Sequence, residues 1–199
     1  MGENDQPGVD AAVTDGELIK HYRSGDEAAF ETLYNRYRKP LYSYLNTMLP
    51  GQVEVVDDLY QRVWMRILDK LPAYRDRQKF ISWAFRIAHN LAIDHFRSEN
   101  RRREALSERI TSKDSQPSPD QTVDHDELMV ALAKAVEDLP AEQREVFLLR
   151  RDGVSFKEIA RIQATSINTA LGRMRYAVAR LRDALAEWRA GGMAVGHVE

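Results

Sequence analysis

The sequence predicts an all-α protein made of two small helical domains joined by a flexible linker. Apolar residues recur at helical spacing through most of the chain, and no segment alternates with the period of a strand. A polar, proline-containing segment at 104–124 interrupts this periodicity and is typical of a linker. We therefore expect domains at 15–103 and 125–190, with a disordered N-terminus at 1–14 and a frayed tail at 191–199.

The composition is that of an ordinary globular protein and excludes several kinds of chemistry. Hydrophobic residues make up 43% of the 199 residues and charged residues 30%. Because the chain has no cysteine, disulfides, thiolate metal sites and cysteine nucleophiles are excluded. The N-terminal residues lack a signal-peptide pattern, and no apolar run is long enough to span a bilayer. We expect a cytoplasmic protein with no membrane insertion.

The first domain begins with a short helix and a long one. Thr14 or Asp15 can cap the short helix, which ends at the turn formed by residues 24–26. The long helix starts near Asp26 and carries apolar residues at i, i+3, i+4 and i+7 spacing. Pro40 lies inside this helix and is expected to kink or split it.

Two further long helices complete the first domain. One carries an apolar stripe from Val55 to Leu71 and is ended by Pro72. The other, which begins near Phe80, combines aromatic and basic side chains, as suits splayed bases and a single-stranded backbone. Phe85 and Arg86 lie off its apolar stripe, so base capture and packing in a hydrophobic core both remain open for this helix.

Near the C-terminal end, two capped helices predict a helix-turn-helix. Ser155 can cap the first, and Glu158 three residues later completes a capping box. Ser166 can cap a longer second helix, which carries arginines outside its apolar stripe. The alternative is a helical hairpin with a solvated basic face. The net charge of −2 conceals basic segments at 95–113 and 166–189 around an acidic one, a distribution that favours nucleic-acid binding.

Neither a metal site nor an enzyme is predicted. His89, Asp94 and His95 are close in sequence, but their spacing does not match a HExxH arrangement. Phosphate-binding glycine loops, nucleophile elbows and paired catalytic carboxylates are missing from the sequence. We therefore expect no catalytic residue, no metal and no cofactor.

Four segments resemble bacterial RNA polymerase sigma factors of the extracytoplasmic-function (ECF) type. In chain order they are FETLYNRYRKPLYSYL, VVDDLYQRVWMRILDKLPAY, KFISWAFRIAHNLAIDHFR and LPAEQREVFLLRRDGVSFKEIARI. The resemblance covers roughly residues 26 to 186, apart from the linker. It implies that the two domains are sigma region 2 and sigma region 4, and that the protein is a transcription initiation factor without enzymatic activity.

The resemblance also assigns roles to individual residues. The surface that docks on the clamp helices of core RNA polymerase would contain Asp58, Leu59, Gln61, Val63 and Arg66. The flap of the polymerase is a further expected partner. The part that melts the promoter element near minus ten would contain Arg77, Trp83, Arg86, His89, Asn90, Asp94, Arg97, Arg101, Arg102 and Arg103. The helix that reads the duplex element near minus thirty-five would contain Ser166, Asn168, Thr169, Arg173, Arg175 and Arg180.

The expected partners are therefore core RNA polymerase and promoter DNA, both double-stranded and melted. The resemblance adds an anti-sigma factor as a further candidate. One alternative is a stand-alone helix-turn-helix regulator that binds a palindrome as a dimer. Another is a degenerate relative that acts only through protein partners. An enzyme ranks last.

The sequence departs from the family pattern in both domains. Ala164 stands where a glycine is usual in the turn, with Gln163 and Thr165 replacing apolar neighbours. Gly172 lies inside the recognition helix, where glycine costs about 1 kcal/mol relative to alanine. Arg62 replaces a usual glutamate of the polymerase-binding motif and reverses its charge. We expect these changes to alter promoter choice and docking.

Overall fold

The computed structural model describes residues 13–75, 79–107 and 126–193, and these residues confirm the all-α prediction. They form helices and turns without a strand. The α-helices are α1 Asp15–Arg23, α2 Glu27–Met48, α3 Val53–Lys70, α4 Phe80–Ser107, α5 Asp126–Glu137, α6 Ala141–Arg151, α7 Phe156–Ile162 and α8 Ile167–Met193, with a short 3-10 helix at Leu71–Ala73. None of the described helices is both long and apolar enough to cross a membrane.

Side-chain caps hold the starts of the first two helices, and the first of them confirms Thr14 as one of the two predicted caps. The Thr14 hydroxyl accepts from the backbone N–H of Glu17, whose carboxylate accepts from the Thr14 N–H at 2.8 Å in return. The carboxylate of Asp26 caps α2. Of the two outcomes expected at Pro40, a kink or a split, the split does not occur, because α2 is continuous from Glu27 to Met48. Buried residues on both sides of the proline, such as Leu33 and Leu41, anchor the two halves in one hydrophobic core and offset the lost hydrogen bond.

Aromatic side chains dominate the hydrophobic core of the first domain, which α1–α4 enclose. The ring of Trp64 packs on Phe30 at 6.0 Å and on Tyr34 at 4.7 Å between centroids. The rings of Tyr44 and Phe85, both fully buried, meet edge to face at 5.2 Å. Such pairs contribute about 0.5–1.5 kcal/mol beyond their buried area.

The second domain has an aliphatic core, and α8 packs against α5, α6 and α7. Its fully buried contributors include Val146, Leu149, Ile159, Ala170 and Ala177. Contacts of α2 with α6 and of α4 with α7 bring the two domains together, an arrangement we call the closed state.

The described residues move one predicted boundary. Helix α4 continues to Ser107, beyond the end expected at 103. Most of the predicted linker at 104–124, the predicted disordered segment up to residue 12 and the end of the predicted tail lie outside the described residues.

Candidate nucleic-acid and polymerase interfaces

Helix α4 carries a mainly polar stripe along its solvent side. Six positions follow one another at intervals of three or four residues, so they lie within about 80° around the helix axis. This α4 stripe consists of Trp83, Arg86, Asn90, Asp94, Arg97 and Arg101. All are exposed except the half-buried Trp83, and all belong to the predicted minus-ten set. The helix therefore offers cationic, amide and aromatic groups on one side while its other side packs in the core.

The remaining residues of the predicted minus-ten set lie off this stripe. Arg102 and Arg103 are exposed further along α4, and Arg77 lies outside the described residues. His89 is half-buried, and its Nδ1 lies 2.6 Å from a carboxylate oxygen of Glu145 in the second domain. In the closed state, His89 is thus engaged by the other domain and separated from the stripe.

Two aromatic residues of α4 have different surroundings. The ring of Trp83 stacks on Tyr74 at 4.5 Å and contacts Phe80 at 5.6 Å, which leaves part of the indole at the surface. Phe85 is fully buried against Tyr44, so core packing is the alternative that holds for this residue. Its place off the main stripe reflects contact with α2 rather than exposure to solvent.

The helix-turn-helix consists of α7, residues 163–166 and α8. Ser166 is confirmed as a cap, since its Oγ accepts from the backbone N–H of Thr169 at 3.0 Å. Ser155 caps α7 in the same way, but the reciprocal half of the predicted capping box does not form. The carboxylate of Glu158 instead accepts from Lys79 at 2.6 Å and from Arg161 at 2.8 Å.

The turn keeps a left-handed backbone although it lacks the glycine. Ala164 has a φ of 49°, in the region that disfavours residues with a Cβ by roughly 1–2 kcal/mol. The replacement of glycine therefore leaves the turn intact and stores strain in it. The N–H of Thr165 donates to the Ala160 carbonyl at 2.8 Å and closes the end of α7.

The predicted minus-thirty-five residues do not share one environment. Asn168, Thr169, Arg175 and Arg180 are exposed, as direct contact with DNA requires. Ser166 is exposed too, but its hydroxyl is used in capping. Arg173 is only half-exposed, and its Nη1 donates to the side-chain oxygen of Gln163 at 2.9 Å. Gln163, one of the atypical turn residues, thus holds an arginine of the recognition helix.

On α3 the predicted polymerase-binding residues fall on two faces. Asp58, Gln61 and Arg66 are exposed. Leu59 and Val63 are buried in the first-domain core and do not reach the surface in this arrangement, so their contact with the polymerase stays a prediction. Their spacing from Val56 and Ile67 places them on the core stripe.

The unusual Arg62 is exposed on the predicted docking face of α3. Its Nη1 donates to the Asp58 carboxylate at 3.3 Å, one helical turn earlier. The arginine thus partly neutralises an acidic group of the same predicted surface. Exposed i,i+4 pairs contribute only about 0.3–0.5 kcal/mol, so either side chain can turn to a partner at little cost.

A buried polar cluster between the domains was missed by the sequence reasoning. Its centre is Glu145 on α6, whose side chain is 5% exposed. One carboxylate oxygen accepts from the Tyr44 hydroxyl at 2.5 Å and lies 2.6 Å from His89 Nδ1; the other accepts from Gln163 Nε2 at 2.9 Å. We call Tyr44, His89, Glu145 and Gln163 the Glu145 cluster.

The electrostatics of this cluster keep Glu145 ionised. Burial raises the pKa of the Glu145 carboxyl, but hydrogen bonding and charge attraction from His89 and hydrogen bonds from Tyr44 and Gln163 outweigh it, so the pKa lies below its usual value. Burial, followed by the charge of Glu145, raises the pKa of the Tyr44 phenol. The phenol therefore keeps its proton and donates it to the carboxylate.

Among the described residues, no group of three or more histidine or acidic side chains is placed to hold a metal ion.

Both domains match known families. The Sigma-70 region 2 family matches residues 33–102, and the Sigma-70 region 4 family matches residues 129–183. The matched parts coincide with the domain that carries the α4 stripe and the domain that carries the helix-turn-helix. The predicted resemblance is therefore confirmed for each domain.

Curated relatives span most of the chain. The RNA polymerase sigma factor SigZ of Bacillus subtilis is 31% identical over 156 residues, which cover 78% of this chain and 86% of SigZ. The ECF RNA polymerase sigma-E factor of Escherichia coli K12 is 26% identical over 183 residues, or 87% of this chain and 93% of that protein. The ECF RNA polymerase sigma factor BldN of Streptomyces coelicolor is 29% identical; the match covers 82% of this chain and 62% of BldN.

Solved structures share the fold. The sigma factor RpoE of Bartonella quintana, in complex with the anti-sigma factor NepR, superposes with a TM-score of 0.63 at 23% identity, over 79% of this chain and 96% of that one. CnrH, in complex with the cytosolic domain of CnrY, superposes with a TM-score of 0.59 at 24% identity, over 87% and 97%.

Proposed function

Because the chain belongs to the ECF group of RNA polymerase sigma factors, we propose that it binds core RNA polymerase and directs it to promoters through two separate DNA contacts. In this proposal α4 opens the element near minus ten, and α8 reads the element near minus thirty-five. Sigma factors are transcription initiation factors and not enzymes. Membership in this family favours a polymerase subunit over a stand-alone regulator.

The α4 stripe is the single observation that carries the assignment of DNA opening to the first domain. Arg86, Arg97 and Arg101 supply positive charge for phosphates, which strengthens binding without reading sequence. The Asn90 amide can pair with the edge of an unstacked base, and the exposed part of Trp83 can stack on one. Stacking contributes on the order of 1–3 kcal/mol per base, comparable with the few kcal/mol needed to unstack it.

The exposed end of α8 supports duplex reading by the second domain. The side chains of Asn168 and Thr169 lie in the first turn of the helix, where recognition helices contact base edges. Arg175 and Arg180 are exposed further along and are suited to phosphates. Ser166 caps the helix and orients its first turn, so it contributes by positioning Asn168 and Thr169.

The exposed side of α3 is the proposed polymerase contact. Asp58, Gln61 and Arg66 remain from the predicted set, with Arg62 added between them. Leu59 and Val63 support this face from below as core residues. Since RpoE and CnrH form complexes with NepR and CnrY, we also propose that a protein of the anti-sigma type binds this chain and competes with core polymerase.

Reconstitution with purified core polymerase tests the proposal. The full chain is expected to co-elute with core polymerase and to support run-off transcription from a promoter mapped by transcript start sites. Permanganate reactivity of thymines near minus ten reports opening. We expect Asn90→Ala to reduce this reactivity, and Arg97→Ala to weaken promoter binding and lower its salt slope by about 1.

Lys20→Ala provides the matched control, because Lys20 is exposed on α1 and lies outside the three proposed contact surfaces. Failure of the unmodified chain to bind core polymerase would contradict the function itself. Asn90→Ala and Arg97→Ala behaving like Lys20→Ala would contradict only the assignment of α4.

A further inference from the structure

Helix α1 lies outside the part of the chain that matches the Sigma-70 region 2 family, which begins at residue 33. Its last residue, Arg23, nevertheless reaches the segment that joins α3 to α4. The guanidinium donates to the Leu71 carbonyl through Nη2 at 2.7 Å and through Nε at 3.2 Å, and Nη2 also donates to the Tyr74 carbonyl. These partners are 48 and 51 positions away in the sequence, so the formation of α1 alone does not require the contact.

The chemistry of arginine suits this position. Leu71 ends α3 and Tyr74 ends the 3-10 helix that follows, and carbonyls at helix ends lack partners within the helix. A positive charge near a helix C-terminus is also favourable. The planar guanidinium donates in fixed directions, whereas a lysine ammonium is a point charge on a flexible stem. Arg23 therefore holds the backbone at both ends of the short segment from Leu71 to Tyr74.

The ring of Tyr74 supports the indole of Trp83. The two rings stack at 4.5 Å between centroids, and Tyr74 meets Phe80 edge to face at 5.9 Å. Phe80 in turn lies 5.2 Å from Tyr37. Tyr37 belongs to α2, and Phe80 and Trp83 belong to α4, whereas Tyr74 alone of these four rings lies outside a helix. The position of its ring therefore depends on how the backbone of the connecting segment is held.

The indole of Trp83 is the group that we assign to stacking on an unstacked base. It is half-buried, with Tyr74 beside it and part of its surface exposed. Stacking on an aromatic side chain strengthens the binding of a base by roughly 5- to 150-fold. A ring that is already oriented loses less conformational entropy when the base arrives, so more of this gain appears as binding.

We propose that Arg23 is a positioning residue for promoter opening, because it holds Tyr74, and Tyr74 orients Trp83 for the unstacked base. This inference rests on the proposed function. Arg23 acts through the two aromatic residues and not through a contact of its own with DNA. Helix α1 thereby belongs to the DNA-opening part of the protein, although the family match does not include it.

Fluorine NMR of the free full chain reports on the surroundings of Trp83. The chain has three tryptophans, so labelling with 5-fluorotryptophan gives three resonances, and Trp83→Phe identifies the resonance of Trp83. Arg23→Ala is expected to shift or broaden this resonance and to leave the other two in place. Lys20→Ala is the matched control, because it removes one positive charge from an exposed residue of the same helix, and it is expected to leave all three in place.

Permanganate reactivity of thymines near minus ten, measured with the holoenzyme on a mapped promoter, tests the consequence for DNA. Trp83→Ala is expected to lower the reactivity about tenfold, and Arg23→Ala about three- to fivefold. Because Arg23 acts through Trp83, the double variant should be no weaker than Trp83→Ala alone, whereas an arginine that only stabilises the fold would lower the reactivity further. Arg23→Lys keeps the charge and loses the planar fork, so this milder variant should fall between Arg23→Ala and the unmodified chain.

An unchanged Trp83 resonance in Arg23→Ala would overturn the proposal, and so would additive losses in the double variant. Promoter opening by Arg23→Ala at the level of Lys20→Ala would overturn it as well. An unmodified chain that binds no core polymerase would instead refute the proposed function, while the Trp83 resonance would still decide whether Arg23 positions the indole.

Discussion

The two domains treat polar groups in their interiors differently. Apart from Ser82, the described buried residues of α1–α4 are apolar or aromatic, and their rings pack on one another. The second domain has a smaller aliphatic core and buries the charged Glu145 beside Val146 and Leu149. The aromatic rings of the first domain pack on one another within that domain, whereas the buried carboxylate of Glu145 needs hydrogen-bond donors.

Two of the donors to Glu145 come from the other domain. Tyr44 and His89 come from the first domain, so the interior of the second domain is complete only when the domains touch. An interior that relies on a partner adds specificity to the contact, because no apolar surface could replace those donors. The first domain supplies two of the donors, and the second supplies the carboxylate that needs them.

Replacing Phe85 by alanine should have the largest effect. Its ring is fully buried and packs on Tyr44, so the substitution removes core contacts and leaves a cavity beside the Glu145 cluster. Phe→Ala in a core costs about 3–5 kcal/mol of the free energy of unfolding. Urea titration followed by circular dichroism measures the loss. Met65→Ala, at a side chain 64% exposed on α3, is the control, and a loss below about 1 kcal/mol for Phe85→Ala would contradict its burial.

Replacing His89 by alanine removes a donor from Glu145 and leaves the carboxylate buried with two partners. We expect a loss of about 1–3 kcal/mol in the free energy of unfolding. His95→Ala on the same helix is the matched control, because the ring of His95 lies near Phe96 and outside the cluster. Equal effects of the two substitutions in urea titration would show that Glu145 does not depend on His89.

Periodicity and caps allowed most of the fold to be predicted, because they are local. The predicted Thr14 and Ser166 caps both form as the residue types indicate. Continuity through Pro40 was not predictable, since it depends on tertiary packing that outweighs a local penalty. The family resemblance assigned core positions such as Leu59 to the docking surface, although their helical spacing already indicated that they lie in the hydrophobic core.

The Glu145 cluster could not be predicted, because its members are up to 119 positions apart, from Tyr44 to Gln163. One signal was present in the sequence. Glu145 precedes Leu148 and Leu149 by three and four residues, so it lies on the apolar stripe of α6 where a charge requires a partner. The sequence could thus have identified a buried carboxylate, but not the domain that supplies its donors.

A glycine inside α8 lowers the stability of the second domain, and a substitution can remove this effect. Gly172 lies inside α8, and a Cβ added there would meet no atom within 4 Å. Gly172→Ala should therefore raise the free energy of unfolding by about 1 kcal/mol through helix propensity alone. Thermal unfolding of the full chain measures the gain. An unchanged or lower midpoint would mean that the glycine relieves a conflict absent from the described structure.

A smaller gain is expected in the turn before α8. Ala164→Gly relieves the strain of the left-handed backbone, roughly 1–2 kcal/mol, while glycine loses about 0.4–1 kcal/mol through the entropy of the unfolded chain. The net gain should be roughly 0.5–1 kcal/mol in the same thermal assay. Ala141→Gly, in the first turn of α6, serves as a control with an α-helical backbone and should lose stability.

The smallest effect should come from the exposed edge of the domain contact. Lys79 and Glu158 form an ion pair at 2.6 Å, but the lysine side chain is 47% exposed, and Arg161 also pairs with Glu158. Because water and Arg161 replace the lost partner, Lys79→Ala should change the free energy of unfolding by less than about 0.5 kcal/mol. Energy transfer between dyes on cysteines introduced at the exposed Glu31 of α2 and the exposed Lys134 of α5 should also stay close to that of the chain with Lys79 unchanged. If Lys79→Ala opened the protein as far as Glu145→Gln does, surface charge rather than the buried carboxylate would hold the domains together.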